Sequence, residues 1–334
     1  MVRSKKYYRN LLFLILPAFC IFFFQGSAFS GADQRSYVTY HFLLELDGAF
    51  AGYLKSAEGG NATADVVTMA VGPTNVTKKH LSPPKFEAIT LNVGANMSKA
   101  FYQWIKDTAE QPQRYLRKNG AIVVADYNLK EVSRLEFFDG LISEVTFPAA
   151  DGASKDPAYL QVKITPEVVR GSRSSGKVYQ SMQKAQKAWI SSNYLFRIDG
   201  LDAATLRTYK TSAPTIKLKS ALDSVGEQRV SVKTPAGWEI SNLTAWVAAS
   251  HSEPFYQWFE NFVLKGNNGD NMERTGTLEY FDPPLKEVLF RLTFDHMGIF
   301  KLTRDSSGVA AGGLAHDKAE MYVENIRFDY AASW

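Results

Sequence analysis

Phe101-Tyr102-Gln103-Trp104 and Phe255-Tyr256-Gln257-Trp258 are the same tetrapeptide, set 154 positions apart in a chain of 334 residues. The flanks repeat with them. Asp47-Gly48 matches Asp199-Gly200 and Phe86-Glu87 matches Trp238-Glu239, both at an offset of 152. Farther along, Leu129-Lys130-Glu131-Val132 recurs as Leu285-Lys286-Glu287-Val288, and Arg134-Leu135 as Arg291-Leu292, at offsets of 156 and 157. Matches in one order with a slowly growing offset are what small loop insertions leave after a duplication. The period is too long for a solenoid unit. The expected organisation is therefore two homologous domains, residues 36–170 and 192–334, joined by a linker and connecting helix over 171–191.

Around each tetrapeptide the pattern alternates between strands and one helix. In the first copy the strand candidates are Tyr40–Leu46, ending on the Asp47-Gly48 turn, then Phe86–Val93, Gly120–Asp126, Ser133–Phe138, Leu141–Thr146 and Tyr159–Pro166. Ser98 is placed to cap a short helix whose apolar face carries Ala100, Phe101, Trp104 and Ile105. In the second copy Ser252 or His251 precedes Glu253-Pro254, and Phe255, Trp258, Phe259 and Phe262 form the matching stripe. The expected fold is mainly β, a barrel or sandwich with one short helix per domain. FYQW then reads as core that plugs the end of a sheet, at about 1.5–3 kcal/mol for each buried ring.

Composition sets the outer limits. The chain is 45% hydrophobic and 22% charged with a net charge of +4, values of ordinary globular protein. The charge is spread out, so no specific nucleic-acid binding is expected. The first 30 residues differ: Arg3, Lys5, Lys6 and Arg9 precede an apolar run from Leu11 to Phe24, with small residues at Ala28 and Ser30. That is the layout of a secretory signal peptide. The expected location is periplasmic or extracellular, and the alternative is a membrane anchor formed by the same segment left uncleaved. Cys20 is the only cysteine, so a mature chain starting near Gly31 would have no thiol chemistry.

The stretches Ser56–Asn61, Lys85–Leu91, Phe101–Ile105, Arg117–Val123 and Glu131–Phe137 together resemble the phage tail tube protein family, which includes the tubes of contractile tails and related injection machines. In the second copy nothing like Glu-Gly-Gly-Asn follows Asp199-Gly200, and Glu273-Arg274-Thr275-Gly276 replaces Arg117-Lys118-Asn119-Gly120. The resemblance implies small barrels that join into six-domain rings and stack. Two fused domains then imply a trimeric ring with pseudo-sixfold symmetry, in which the chain partners itself and sheath- or baseplate-like proteins. The implied assembly positions are Glu58, Gly59, Gly60 and Asn61 with Arg117 and Lys118, and the loop Lys55–Pro84 is the stacking element.

Catalytic readings fail on residue chemistry. Gly171–Lys177 has the spacing of a phosphate-binding loop, but Val178 stands where a hydroxyl must hold magnesium. His41, His80, His251, His296 and His316 lack metal-ligand spacing, and the neighbours His251/Glu253 and Asp295/His296 come with no nucleophile. Asn267, Asn268, Asp270, Asn271 and Glu273 are oxygen-rich but miss the spacing of a calcium loop. The expectation is a structural, non-enzymatic subunit without cofactor, metal or catalytic residues. The alternative is a secreted or envelope-attached binding module built on the same barrels.

Overall fold

The computed structural model describes residues 40–71, 76–111, 114, 116–179, 189–223, 232–305 and 315–331. The leader and most of the expected connecting helix lie outside these residues. Within the expected helix, Lys177–Tyr179 are extended, and Val178 bridges to Lys130.

The first half runs β1 (His41–Leu46), β2 (Ala49–Gly59), β3 (Ala62–Thr63), β4 (Val66–Val71), β5 (Val76–Leu81), β6 (Lys85–Phe86), β7 (Ile89–Val93), α1 (Lys99–Glu110), β8 (Arg117–Ala125), β9 (Glu131–Thr146), β10 (Leu160–Thr165) and β11 (Val168–Arg173). The antiparallel order β1-β8-β9-β10-β7-β2 returns to β1, because β10 bonds both β7 and β9 and β2 bonds β1. This closes a barrel. At the hairpin between β1 and β2, Asp47 and Gly48 both have positive φ (49° and 81°), as a tight turn matching the strand twist requires.

The second half runs β12 (Tyr194–Ile198), α2 (Asp202–Thr205), β13 (Thr208–Thr211), β14 (Thr215–Asp223), β15 (Val232–Ile240), β16 (Leu243–Ala248), α3 (Glu253–Phe259), β17 (Arg274–Phe281), β18 (Val288–Asp305) and β19 (His316–Tyr330). Its sheet has the order β12-β17-β18-β19-β16-β13, the same sequence of neighbours as the first barrel. It stays open between β12 and β13. The residues of α2, Asp202–Thr205, stand at the 152 offset from Phe50–Tyr53, which in the first half pair with β1. With that stretch helical, no described strand pairs with β12 on that side.

Two expectations are corrected in detail. Ser133–Phe138 and Leu141–Thr146 form one strand, β9, because the Asp139-Gly140 break is absorbed as a bulge: Asp139 takes φ 49° and the register with β8 shifts between Lys118 and Gly120. The expected loop Lys55–Pro84 is mostly strand, extending β2 and then folding into the short ladders β3–β6 and β4–β5. The helices form where expected, but the buried face of α1 carries Tyr102 beside Phe101, Trp104 and Ile105 and leaves Ala100 exposed. Ser98 caps α1, its side chain accepting from the Phe101 N–H at 3.3 Å, whereas Ser252 turns its hydroxyl to the Ala249 carbonyl and the Asp317 carboxylate.

One apolar core runs through both halves, taking in Phe101, Trp104 and Ile105 with Phe255, Trp258 and Phe262. A second, smaller cluster lies on the outer face of β1, where Leu43 packs with Ala121, Val123, Ala125 and Tyr179. The segment Ser174–Tyr179 covers that face and closes over a buried charge cluster. Glu45 accepts from Arg134 (2.6 Å), from the Tyr179 hydroxyl (2.9 Å) and from Lys177, while Glu131 accepts from Arg134 (3.2 Å) and from Ser175 (2.8 Å). Burial pushes both carboxyl groups up, but these hydrogen bonds outweigh it and hold them below the usual carboxylate range.

Candidate assembly surface

The repeated tetrapeptide has two fates. In α1, Tyr102 is fully buried: its hydroxyl donates to the Gly94 carbonyl (3.0 Å) and accepts from the Met97 N–H (3.1 Å). Its ring packs on the second half, 5.3 Å from Phe290 and 5.4 Å from Tyr330. The Tyr330 hydroxyl donates to Gln103 at 2.9 Å, and Lys106 pairs with Asp329. In α3 the same two positions face outward. Tyr256 is 36% exposed and bonds Arg304 of its own half, and Gln257 bonds Glu253 on its own helix at 3.2 Å.

Strand pairing joins the halves as well. Thr215, Ile216 and Lys217 of β14 lie opposite Thr146, Val145 and Glu144 at the end of β9, on the edge that β8 leaves open beyond Leu141. Charge agrees with the register, since Lys217 faces Glu144. The β14–β15 hairpin of the second half thus extends the sheet of the first.

The residues expected to act in assembly fall in two places. Glu58 and Gly59 end β2, and Gly60 and Asn61 lead into β3. Gly59 has φ 85°, and a Cβ there would lie 2.1 Å from the Ala88 carbonyl oxygen, so the chain can pass only as glycine. Asn61 donates to Glu87 at 2.8 Å. Arg117 and Lys118 lie at the other end of β1, where Arg117 bonds Glu167 (2.7 Å) and the Asp139 carbonyl, and Lys118 bonds Asp47 (2.6 Å). The structure does not bring the two groups together. Past Asn61, the β4–β5 ladder pairs with no other described strand and exposes Val66, Val67, Met69 and Leu81.

Three arrangements were not legible in the sequence. The Glu45–Arg134–Glu131 cluster joins residues up to 89 positions apart. Arg291, the repeat partner of Arg134, instead makes an exposed pair with Glu279. Glu273, His296 and Glu324 place their ligand-type atoms within 4.8 Å of one another at the surface. There His296 bonds Glu273 at 2.8 Å, and Asp295, its chain neighbour, bonds Arg327 instead. The phosphate-loop reading finds no support either, for Gly171–Arg173 belong to β11 and Lys177 is committed to Glu45.

This barrel with its single capped helix, an open strand edge and a protruding ladder is the setting for a comparison with known families. Residues 38–169 match the family of the T4-like virus tail tube protein gp19. The tail tube resemblance read from the sequence is shown over this stretch, which spans β1 to the start of β11. No curated protein matches the chain. Among solved structures, the chain is similar to the tube-terminating cap of the anti-feeding prophage, at 22% identity over 41% of this chain and 90% of that one, with a TM-score of 0.36. It is also similar to a chain of the PVC sheath–tube complex of an extracellular contractile injection system in the extended state, at 16% identity over 40% and 90%, with a TM-score of 0.35. Hcp1 from Flavobacterium johnsoniae is similar at 12% identity over 42% and 99%, with a TM-score of 0.25.

Proposed function

We propose that this chain is a structural, non-enzymatic subunit that assembles with copies of itself into rings of the tail tube type, each chain supplying two tube-like domains that arose by tandem duplication. The observation that carries the reading is the tail tube family match over the first barrel. The repeat of the same strand order in the second half supports extending the reading to the whole chain. Three chains then supply six domains. Heterologous contacts of this kind close into rings when the rotation divides evenly, and sheath- or baseplate-like proteins are the expected outer and end partners.

The layout of Arg3 to Ser30 supports export of the chain, with the tube domains working in the periplasm or outside the cell. N-terminal sequencing of the protein recovered from each cell fraction tests this. A start near Gly31 in an exported fraction is the expected result, and an intact Met1 start in the cytoplasm opposes it.

Negative-stain electron microscopy with mass determination tests the main reading. Trimeric rings with six lobes, or stacked tubes, are expected. A strictly monomeric particle across a wide concentration range would favour a binding module that reuses the two barrels.

A further inference from the structure

We propose that the open end of the second half is the docking site for the first half of another copy of this chain, through the interface that already joins the two halves within one chain. This rests on the tube reading but goes beyond it in naming the surfaces and their register.

The register of the strands carries the argument. In the first half Ser133, Leu135 and Phe137 lie opposite Arg173, Gly171 and Val169; in the second, Phe290, Leu292 and Phe294 lie opposite Tyr330, Phe328 and Ile326. Each pair of pairs differs by 157, so Ser133, Gly171 and Arg173 occupy the places where Phe290, Phe328 and Tyr330 receive Tyr102. By the same offset, Lys301–Thr303 of β18 stand where Glu144–Thr146 of β9 receive β14. The incoming strand has its equivalent too. The Ser241 N–H bonds the Thr215 carbonyl and Lys217 faces Glu239, while Gly59 faces Ile89 and the Glu87 N–H bonds the Asn61 carbonyl. Gly59–Asn61 therefore correspond to Thr215–Lys217.

Each of these equivalent surfaces is unfilled by the described part of its own chain. Beyond Met297 no described strand pairs with β18 on its β17 side. Tyr256, which bonds Arg304, and Gln257, which bonds Glu253, stay exposed within their own half, where Tyr102 and Gln103 engage the other half. The receiving surface on the first half is a mostly apolar cavity of about 350 Å³ lined by Phe42, Ile122, Ser133, Leu135, Gly171 and Ser172, where small residues replace the rings of the second half. Transferred intact, the interface sets Gly59 opposite Thr303, Gly60 opposite Leu302 and Asn61 opposite Lys301, turns Tyr256 toward the cavity, and brings Glu58 to the level of Arg304. An open strand edge beside a matching strand gains by pairing, and a head-to-tail contact between unlike surfaces propagates around a ring. Four of the positions singled out by the family resemblance, Glu58 to Asn61, thus meet a neighbour side by side in the ring.

Site-directed cross-linking tests the register. In full-length chain carrying Cys20→Ser, Asn61→Cys is placed on one preparation and Lys301→Cys on another, and the two are mixed and oxidised while mass is measured in parallel. Opposed strand residues lie within disulfide reach, so a cross-linked dimer is expected in the mixture and in neither preparation alone. Tyr256→Ala is expected to raise the concentration needed for assembly at least tenfold without changing the melting temperature of the dilute monomer. Rings or trimers without the cross-link would overturn this docking and leave the tube reading standing. A chain that stays monomeric by mass and forms no cross-link overturns both.

Discussion

The Tyr102 ring meets Phe290 edge-on, with centroids 5.3 Å apart, and so ties the helix of the first barrel to the sheet of the second. Its counterpart Tyr256 carries the same neighbours in sequence but has no second barrel to enter within the described chain. Tyr102→Ala is expected to destabilise the dilute monomer by about 3–5 kcal/mol, the usual cost of truncating a fully buried ring. Tyr256→Ala should stay within about 0.5 kcal/mol, as at other surface sites. Urea unfolding of both variants checks the contrast, and equal losses would show that the two helices sit in equivalent surroundings.

Arg134 and Arg291 make a second divergent pair. Arg134 bridges two carboxylates whose side chains are nearly inaccessible (4% and 0% for Glu45 and Glu131), whereas Arg291 is half exposed beside Glu279. Arg134→Ala leaves the buried Glu131 carboxylate without its cation, while Glu45 keeps Lys177, and should cost about 3 kcal/mol. Arg291→Ala should cost at most about 1 kcal/mol. Thermal denaturation of the two variants distinguishes them.

The same cluster sets an acid response. Burial raises Glu45 and Glu131, but their hydrogen bonds hold both below the ordinary carboxylate value of about 4.5 in the folded state. Their contribution is complete above that value and is lost as pH falls through the depressed folded values. Stability measured from pH 6 downward should therefore fall more steeply in the parent protein than in a variant with Glu45→Gln and Glu131→Gln; parallel curves would remove the cluster from the acid response.

His296 responds in the opposite direction. Its hydrogen bond with Glu273 raises its pKa above 6.5. The interaction is present below 6.5 and is lost as pH rises through the raised value. An NMR titration should show the His296 ring returning toward 6.5 in Glu273→Gln, and an unchanged midpoint would show that the pair is not formed in solution.

Gly59 and Gly48 share a left-handed backbone but differ in surroundings. A methyl at Gly59 meets the Ala88 carbonyl, while one at Gly48 meets nothing within 4 Å. Gly59→Ala is expected to cost about 2–3 kcal/mol and Gly48→Ala about 1–2 kcal/mol, the backbone part alone. Chemical denaturation of the two variants gives the difference directly.

Much of the first barrel was legible because its signals are local. Strands Tyr40–Leu46, Gly120–Asp126 and Tyr159–Pro166, the Ser98 cap and the aromatic stripe of α1 all follow from alternation, helical spacing and one hydroxyl, which neighbours in the chain determine. Strand β2 was missed because Ala49–Gly59 mixes glycine and charge with its apolar residues, and β1 and β7 stabilise it from either side. The candidate assembly surface was legible only in part. Glu58–Asn61 came from the resemblance, but their separation from Arg117 and Lys118 along the barrel depends on register, which no single segment records.

By itself the sequence determined the repeat, the helix that carries FYQW and the mainly β class, since periodicity and matched offsets survive without any knowledge of contacts. Only the tertiary structure decided that one FYQW is enclosed and the other open, that Arg134 is buried while Arg291 is not, and that a hairpin of the second half completes the edge of the first. Those differences arise where the two halves meet, and a residue at such a boundary is buried or exposed according to what stands across from it.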